Sequence, residues 1–548
     1  MAVEPALHSA DAAAGDWWRD AVIYQVYVRS FCDGDGDGVG DLAGVRAKLG
    51  YLRELGVDAL WFNPWYPSPL ADGGYDVADY RAVAPELGTL EEAELLVAEA
   101  LALGIRTILD VVPNHVSDQH PWFRAALAAA PGSPERARFW FRPGLGDAGD
   151  TMPTEWVSEF GGTTWTRTTD ADGRPGEWYL HLFSPQQPDL DWRNPTVVEE
   201  HLQVLRFWFD RGVAGIRIDS AALLVKDERL PAVPATPGPG GHPFVDRDEI
   251  HEIYRGWRAV ADAYEPPRVL VGEVWLEDPQ RFARYLRPDE LHTAFNFDFM
   301  TRPWDAKELR DSIEATLASH RQVGAPPTWV LANHDVTRTV TRYGREVTSF
   351  SFGSKRFGTP TDFALGTRRA RAAALLVAAL PGALYVYQGE ELGLPEVEDL
   401  PRELLRDPMH ARSGGVDPGR DGCRVPLPWS GEEPPFGFTT GSSPTELPQP
   451  RSWAALTVEC QERYDDSMLA LYRAALRLRR GLRGAGLGWV DLGDGVIAFT
   501  RDDLLSVTNF STESLHLPAG DVLLRSDSSH PTAESLPPDA TAWLRPTR

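Results

Sequence analysis

The feature that most constrains this chain is a repeated alternation of strand and helix patterns. The segment "AVIYQVYVRSF" (21–31) is a run of apolar and aromatic residues with no helical period, as expected of a buried strand. "LAGVRAKLGYLRELG" (42–56) then places apolar residues at helical spacing and ends at Gly56. "VDALWF" (57–62) is a strand, "TLEEAELLVAEALALG" (89–104) an amphipathic helix with acids in its first turn, and "IRTILDVV" (105–112) a strand again. The rhythm returns later: "VVEEHLQVLRFWFDRG" precedes "VAGIRID", "EIHEIYRGWRAVADAY" precedes "RVLVGEVW", "LRDSIEATLASHRQ" precedes "TWVLANHD", and "TRRARAAALLVAALPG" precedes "ALYVYQG". Eight strands are predicted, near residues 22, 58, 106, 214, 269, 293, 328 and 384. Alternation of this kind builds parallel βα units, and eight of them fit a closed (β/α)8 TIM barrel better than an open sheet.

Two stretches break the rhythm. Residues 117–190 are rich in Trp, Pro and Gly and lack a long helix, so they are predicted to form a domain inserted after the third strand. Residues 392–452 are proline-rich and irregular, as expected of a long loop at the barrel mouth after strand eight. The barrel itself is assigned to 17–116 and 191–475. After a helix over 465–482, runs such as "GVIAFTRDDLLSVTN" (495–509) predict a C-terminal antiparallel β domain, assigned to 476–548.

Bulk properties limit the partners. A net charge of −26 argues against nucleic acid or anionic membrane as a ligand. The three cysteines, Cys32, Cys423 and Cys460, are too few and scattered for a disulfide framework or a zinc site. "MAVEPALHSADAAAGDWWRD" (1–20) has no basic start and no apolar core of a secretion leader, and no window is apolar enough to span a membrane. A cytoplasmic enzyme is the expectation; nothing in the sequence specifies an oligomeric state.

Chemistry is expected where polar residues fall at the C-terminal ends of barrel strands. Strand three ends in "DVVPNH", strand four in "GIRIDS", strand five in "GEVW" and strand seven in "ANHD", giving Asp110, Asp219, Glu273 and Asp335. Arg217 lies two residues before Asp219, on the same strand face. One such acid is ordinarily a helix cap or an ion-pair partner. Four, interleaved with Arg217, His115 and His334, point to catalysis.

These motifs, with "QPDLDW" (187–192), occur in the order and spacing of the α-amylase superfamily, glycoside hydrolase family 13, which the chain resembles over most of its length. The resemblance implies that Asp219 is the nucleophile, Glu273 the general acid/base and Asp335 the third acid that holds sugar hydroxyls. It also implies that Arg217 orients the nucleophile and that His115 and His334 bind the sugar in the first subsite. A retaining mechanism needs an ionised carboxylate and a protonated one about 5 Å apart; Arg217 is expected to keep Asp219 charged, and neighbouring acids to raise Glu273. Trp275 is placed either to desolvate Glu273 or simply to pack. "ADGGYDVADY" (71–80) resembles the α-glucosidase and oligo-1,6-glucosidase branch, where residues matching Asp72 and Tyr75 close the pocket floor and an arginine matching Arg424 pairs with that aspartate. A blocked floor implies an exo-acting α-glucosidase working on a disaccharide or small oligosaccharide. The residue after the nucleophile, Ser220, lies closer to the threonine associated with α-1,4 linkages than to the valine associated with α-1,6. An α-1,6-specific oligo-glucosidase and a sugar isomerase of the trehalose- or isomaltulose-synthase type are the alternatives. A non-catalytic transporter-associated relative is disfavoured by the retained acids. On the aglycone side Phe160 and Trp165 are candidates, with core packing the commoner role for such residues.

The loop "CDGDGDGVGDLAG" (32–44) spaces Asp33, Asp35, Asp37, the Val39 carbonyl and Asp41 as oxygen ligands for a hard cation. Counting from Asp33, position twelve is Gly44 rather than the bidentate Glu of an EF-hand, and a strand precedes the loop. In the resembled branch this segment holds a structural Ca2+ or Mg2+, so a structural ion away from the catalytic acids is expected.

Overall fold

The computed structural model describes residues 16–547 except 171, 483, 485 and 528–533; most of the N-terminal stretch read as lacking a leader lies outside the described residues. Eight strands form one parallel sheet: β1 (Val22–Val26), β2 (Ala59–Phe62), β3 (Arg106–Val111) and, after the inserted strands β4 (Phe141–Arg142), β5 (Trp165–Thr169) and β6 (Pro175–Leu180), β7 (Gly215–Ile218), β8 (Val269–Gly272), β9 (Thr293–Ala294), β10 (Thr328–Val330) and β11 (Ala383–Tyr387). Their order is β10-β11-β1-β2-β3-β7-β8-β9. The ladder is open only between β9 and β10, where Thr328 Oγ1 donates to the Ala294 carbonyl at 2.5 Å and nearly closes the barrel.

The two-residue period sorts each strand into an outer and an inner face. Tyr24, Leu60, Leu109, Ile216, Leu270, Trp329 and Leu384 pack outward into the main core beneath the helices. Ile23, Ala59, Trp61, Ile108, Val269, Val271, Val330 and Tyr385 fill the barrel interior. Both faces are buried, so the strands read as continuous apolar runs. The polar residues at the strand ends continue the inner register: Gln25 follows Ile23, Asn63 follows Trp61, Asp110 follows Ile108, and Glu273 follows Val271. The barrel thus delivers its chemistry by parity alone.

Some boundaries shift. The predicted helix 42–56 divides at Lys48 into Leu42–Ala47 and Leu49–Leu55. The predicted strand 21–31 stops at Val26 and turns into a short 3-10 segment, Val28–Ser30. In the insertion, β4, β6 and β5 form an antiparallel sheet in that order over a separate core of Trp140, Trp156, Trp165, Leu180 and Leu182. A lone bridge between His115 and Asp189 joins the two ends of the insertion at its base. The C-terminal sheet comprises β12 (Gly488–Trp489), β13 (Val496–Arg501), β14 (Leu504–Asn509), β16 (Gly520–Arg525) and β18 (Ala540–Pro546), beside the pair β15 (Leu515–His516) and β17 (Ser535–Leu536). It starts at 488, because residue 476 lies inside the helix Met468–Arg479. Trp543 Nε1 donates to the Leu375 carbonyl and ties this sheet to the helix Phe363–Ala379. Among the described residues no helix is long and apolar enough to cross a membrane.

Candidate active site

Arg217, inside the barrel on β7, organises the carboxylates. Its Nη1 donates to both oxygens of Asp110 at 2.8 and 2.9 Å and to Asp219 Oδ1 at 2.8 Å, while Nη2 reaches Glu273 Oε2 at 2.6 Å. Asp219 and Glu273 thus share one guanidinium. Asp219 and Glu273 each follow directly on a strand, β7 and β8, so the strand ends fix their backbones.

Burial pushes the Asp219 carboxyl up to about 6, against the pull of Arg217. Glu273 rises to about 7, chiefly through burial, with Asp219 and Asp335 adding to it; the neighbouring acids expected to dominate are secondary. Trp275 Nε1 donates to Glu273 Oε1 at 3.1 Å and its indole stacks on Phe297 at 3.6 Å, so it both packs and touches the acid. The third acid behaves oppositely. Burial raises Asp335, but His334, Arg420 and Arg424 outweigh it and hold the carboxylate well below its usual range.

The two histidines are buried and neutral, because burial drives His115 down to about 3 and His334 well below its ordinary value. With the Gln25 amide nitrogen donating to His334 Nδ1 at 2.7 Å, the ring proton sits on Nε2, 3.2 Å from Asp335 Oδ2. Tyr75 stacks on His334 at 5.2 Å, takes a hydrogen bond from Asn63, and donates to Asp110 Oδ2 at 2.9 Å. Gly73 and Gly74, with φ of 57° and 107°, make the turn that presents Asp72 and Tyr75. A Cβ on Gly73 would lie 2.9 Å from Tyr27 Oη and 3.0 Å from Arg424 Nη1, so the turn has no room for a side chain.

One pairing differs from expectation. The partner of Asp72 is Arg420, whose Nη2 meets Asp72 Oδ1 at 2.6 Å. Arg424 instead bonds Asp335 Oδ1 at 2.9 Å and the His334 carbonyl. The two arginines sit one turn apart on the same short segment, Arg420 reaching Asp72, Asp335 and Asp407, which sequence spacing does not distinguish. Gln187, in the "QPDLDW" motif, donates to Asp72 Oδ2 at 2.9 Å and meets His115 Nε2 at 3.0 Å. Asp407, Gln187, Gln25 and Asn63 were missed as site residues; the inward register of Gln25 and Asn63 was the available signal.

The walls come from the insertion and the loop after β11. Arg412 of that loop donates to the carbonyls of Gly161 and Thr163, joining the two walls. Arg420 lies over Phe160 at 5.0 Å, Phe160 packs on Phe183, and Phe183 on His115. Trp165 is core of the insertion, its Nε1 bonded to Thr154.

The acidic loop lies apart from these residues. Carboxylate oxygens of Asp33, Asp35 and Asp37 come within 4.8 Å of one another. Asp41 lies outside that trio: its carboxylate accepts the N–H groups of Gly34, Asp35 and Gly44 and caps the helix Leu42–Ala47. Asp33 N–H donates to the Phe438 carbonyl, so the loop grips the segment after β11.

A TIM barrel whose strand ends gather an arginine-bridged pair of carboxylates, one raised to about 7, and a third held ionised defines a glycoside hydrolase. Residues 25–483 match the model of the alpha amylase catalytic domain, and the chain belongs to that family, in its α-glucosidase branch. It is 34% identical over 531 residues to "Maltase 1" of Drosophila virilis, covering 91% of this chain and 79% of that one. It is 32% identical over 541 residues to "Oligo-1,6-glucosidase" of Parageobacillus thermoglucosidasius, covering 91% of each. The crystal structure of XgtA, described as an alpha-glucosyl transfer enzyme, superposes with a TM-score of 0.81 at 33% identity, covering 96% of this chain and 99% of that one.

Proposed function

We propose that the protein is a retaining, exo-acting α-glucosidase that releases glucose from the non-reducing end of maltose and short α-glucosides. The observation that carries this reading is the salt-bridged end of the site: Arg420 ties Asp72 to Asp335 at 2.6 and 3.0 Å, with Asp72 and Arg420 buried and Asp335 partly buried. A sugar chain cannot thread past it, so only a terminal unit fits. Retention is supported by Arg217, which bonds Asp219 Oδ1 at 2.8 Å and Glu273 Oε2 at 2.6 Å and so draws both carboxyls to one guanidinium, whereas an inverting enzyme holds its carboxyls ~6.5–9.5 Å apart to admit a water.

In this mechanism Asp219, oriented by Arg217, attacks the anomeric carbon while Glu273 gives its proton to the departing glycosidic oxygen. Glu273, now ionised, takes a proton from water, whose oxygen displaces Asp219 from the sugar. Asp335 accepts from sugar hydroxyls, His334 and His115 complete the first subsite, and Tyr75 stacks on the terminal ring. A sugar hydroxyl can replace water in the second step, which makes transglucosylation chemically available. Ser220 supports α-1,4 over α-1,6 linkages.

We also propose that Asp33, Asp35 and Asp37, with the Val39 carbonyl, hold a structural Ca2+ or Mg2+; three converging carboxylates repel one another without a cation. Asp41 contributes by fixing the loop backbone. The three cysteines are free, in keeping with the cytoplasmic location proposed from the sequence.

The test is product analysis on maltose, isomaltose and sucrose, with Asp219→Asn as control. Glucose release fastest from maltose, and lost in the variant, is expected. Faster isomaltose cleavage selects the α-1,6 reading, an isomeric disaccharide selects an isomerase, and an active Asp219→Asn overturns the mechanism.

A further inference from the structure

Ser220 follows Asp219 with a φ of 47°, a left-handed conformation that a residue with a Cβ seldom adopts. Such backbone persists where several bonds enforce it together. Here they do. Ser220 Oγ donates to Asp219 Oδ2 at 2.9 Å, and Ser220 N–H donates to Glu273 Oε2 at 2.9 Å. The next residue closes the same turn: Ala221 N–H donates to the Glu273 carbonyl at 2.9 Å. The left-handed turn therefore aims one residue's two donors at two different carboxylates.

We propose that Ser220 is a positioning residue that sets the register of the two catalytic carboxylates, its hydroxyl holding Asp219 and its N–H holding Glu273. The inference rests on the roles proposed for Asp219 and Glu273. Arg217 grips Asp219 Oδ1 and Ser220 grips Oδ2, so the carboxylate plane is held from both oxygens. Without the hydroxyl, the restraint at Oδ2 is lost and Arg217 still holds Oδ1. The N–H bond survives any substitution that keeps the turn, so the two halves of the device separate experimentally. The other charged groups facing these acids are Arg217 and Asp110 at Asp219, and Arg217 and Asp335 at Glu273; none is altered by changing Ser220.

The experiment compares wild type, Ser220→Ala and Ser220→Thr in the pH dependence of kcat/KM on maltose, whose leaving sugar needs the Glu273 proton. Losing a donor to the carboxylate disfavours its ionised form, so Ser220→Ala is expected to move the acid limb upward by about half a pH unit or more. The alkaline limb should stay, because the N–H to Glu273 is kept, and Ser220→Thr should return the acid limb toward wild type. An unmoved acid limb, or both limbs moving together, overturns the proposal. Mass spectrometry after treatment with a 5-fluoro-α-glucosyl fluoride separates this from failure of the parent reading. Wild type labelled at Asp219 with coincident pH profiles sinks only the role of Ser220; wild type labelled elsewhere sinks the assignment of the nucleophile.

Discussion

The pH dependence of catalysis follows from the roles proposed for Asp219 and Glu273, with both signs fixed. Asp219 must be ionised to attack, and its carboxyl lies at about 6, so activity is lost as pH falls through that value. Glu273 must be protonated to release the aglycone, and it lies at about 7, so activity is lost as pH rises through that value. The kcat/KM profile is then a bell with its optimum between those two values, its acid limb set by Asp219 and its alkaline limb by Glu273. The informative perturbation is Glu273→Gln. On maltose, whose leaving sugar needs a proton, the variant should lose roughly 10²–10⁴-fold in kcat/KM. On an aryl glucoside with an activated phenol, which leaves without a proton, the loss should be far smaller. The alkaline limb should vanish from that profile while the acid limb remains. The assay is initial-rate kinetics on both substrates from pH 5 to 9, read as kcat/KM so that only formation of the glucosyl-enzyme is reported. An alkaline limb that persists in Glu273→Gln, or equal losses on the two substrates, would refute the assignment of Glu273.

Three further outcomes are expected. Arg420→Met leaves Asp72 and Asp407 buried without their shared cation, while Asp335 keeps Arg424 and His334; breaking buried pairs of this kind costs about 3–5 kcal/mol, so thermal unfolding should shift clearly downward, and an unchanged Tm contradicts the pairing. Removing divalent ions with a chelator should lower Tm and Ca2+ should restore it, with Asp37→Asn abolishing the response; a Tm insensitive to chelator in wild type contradicts the proposed ion. Phe160→Ala, which removes the ring under Arg420 and beside Phe183, should raise KM for maltose more than it lowers kcat, measured by steady-state kinetics.

Much of this was legible in the sequence because a barrel translates strand parity directly into position. Val271 faces inward, so Glu273 must as well, and the same step takes Ile108 to Asp110 and Gly215 through Arg217 to Asp219. All eight strands lie where the hydrophobic runs placed them. What the sequence left open sits on irregular backbone. Arg420 and Arg424 are four residues apart beside the 3-10 turn Asp421–Cys423, and only the path of that turn decides which one reaches Asp72. Asp407 was invisible for the same reason: it belongs to a proline-rich stretch with no period from which a direction could be read. At Asp41 two roles compete for one carboxylate, since its spacing fits a cation loop and its place before a helix fits an N-cap; three backbone N–H groups converge on it. The Glu273 environment was read as charge repulsion because neighbouring acids are visible in a motif, whereas desolvation depends on the completed barrel.

The central claim is that one glucosyl unit is cut from the chain end by double displacement at Asp219. Proton NMR of the products in the first minutes of maltose hydrolysis tests it most directly, because the anomer released at first reports the number of displacements. The account predicts α-glucose appearing first at the newly formed reducing end, with slow conversion to the equilibrium mixture and no such signal from Asp219→Asn. β-Glucose appearing first at that end would contradict it.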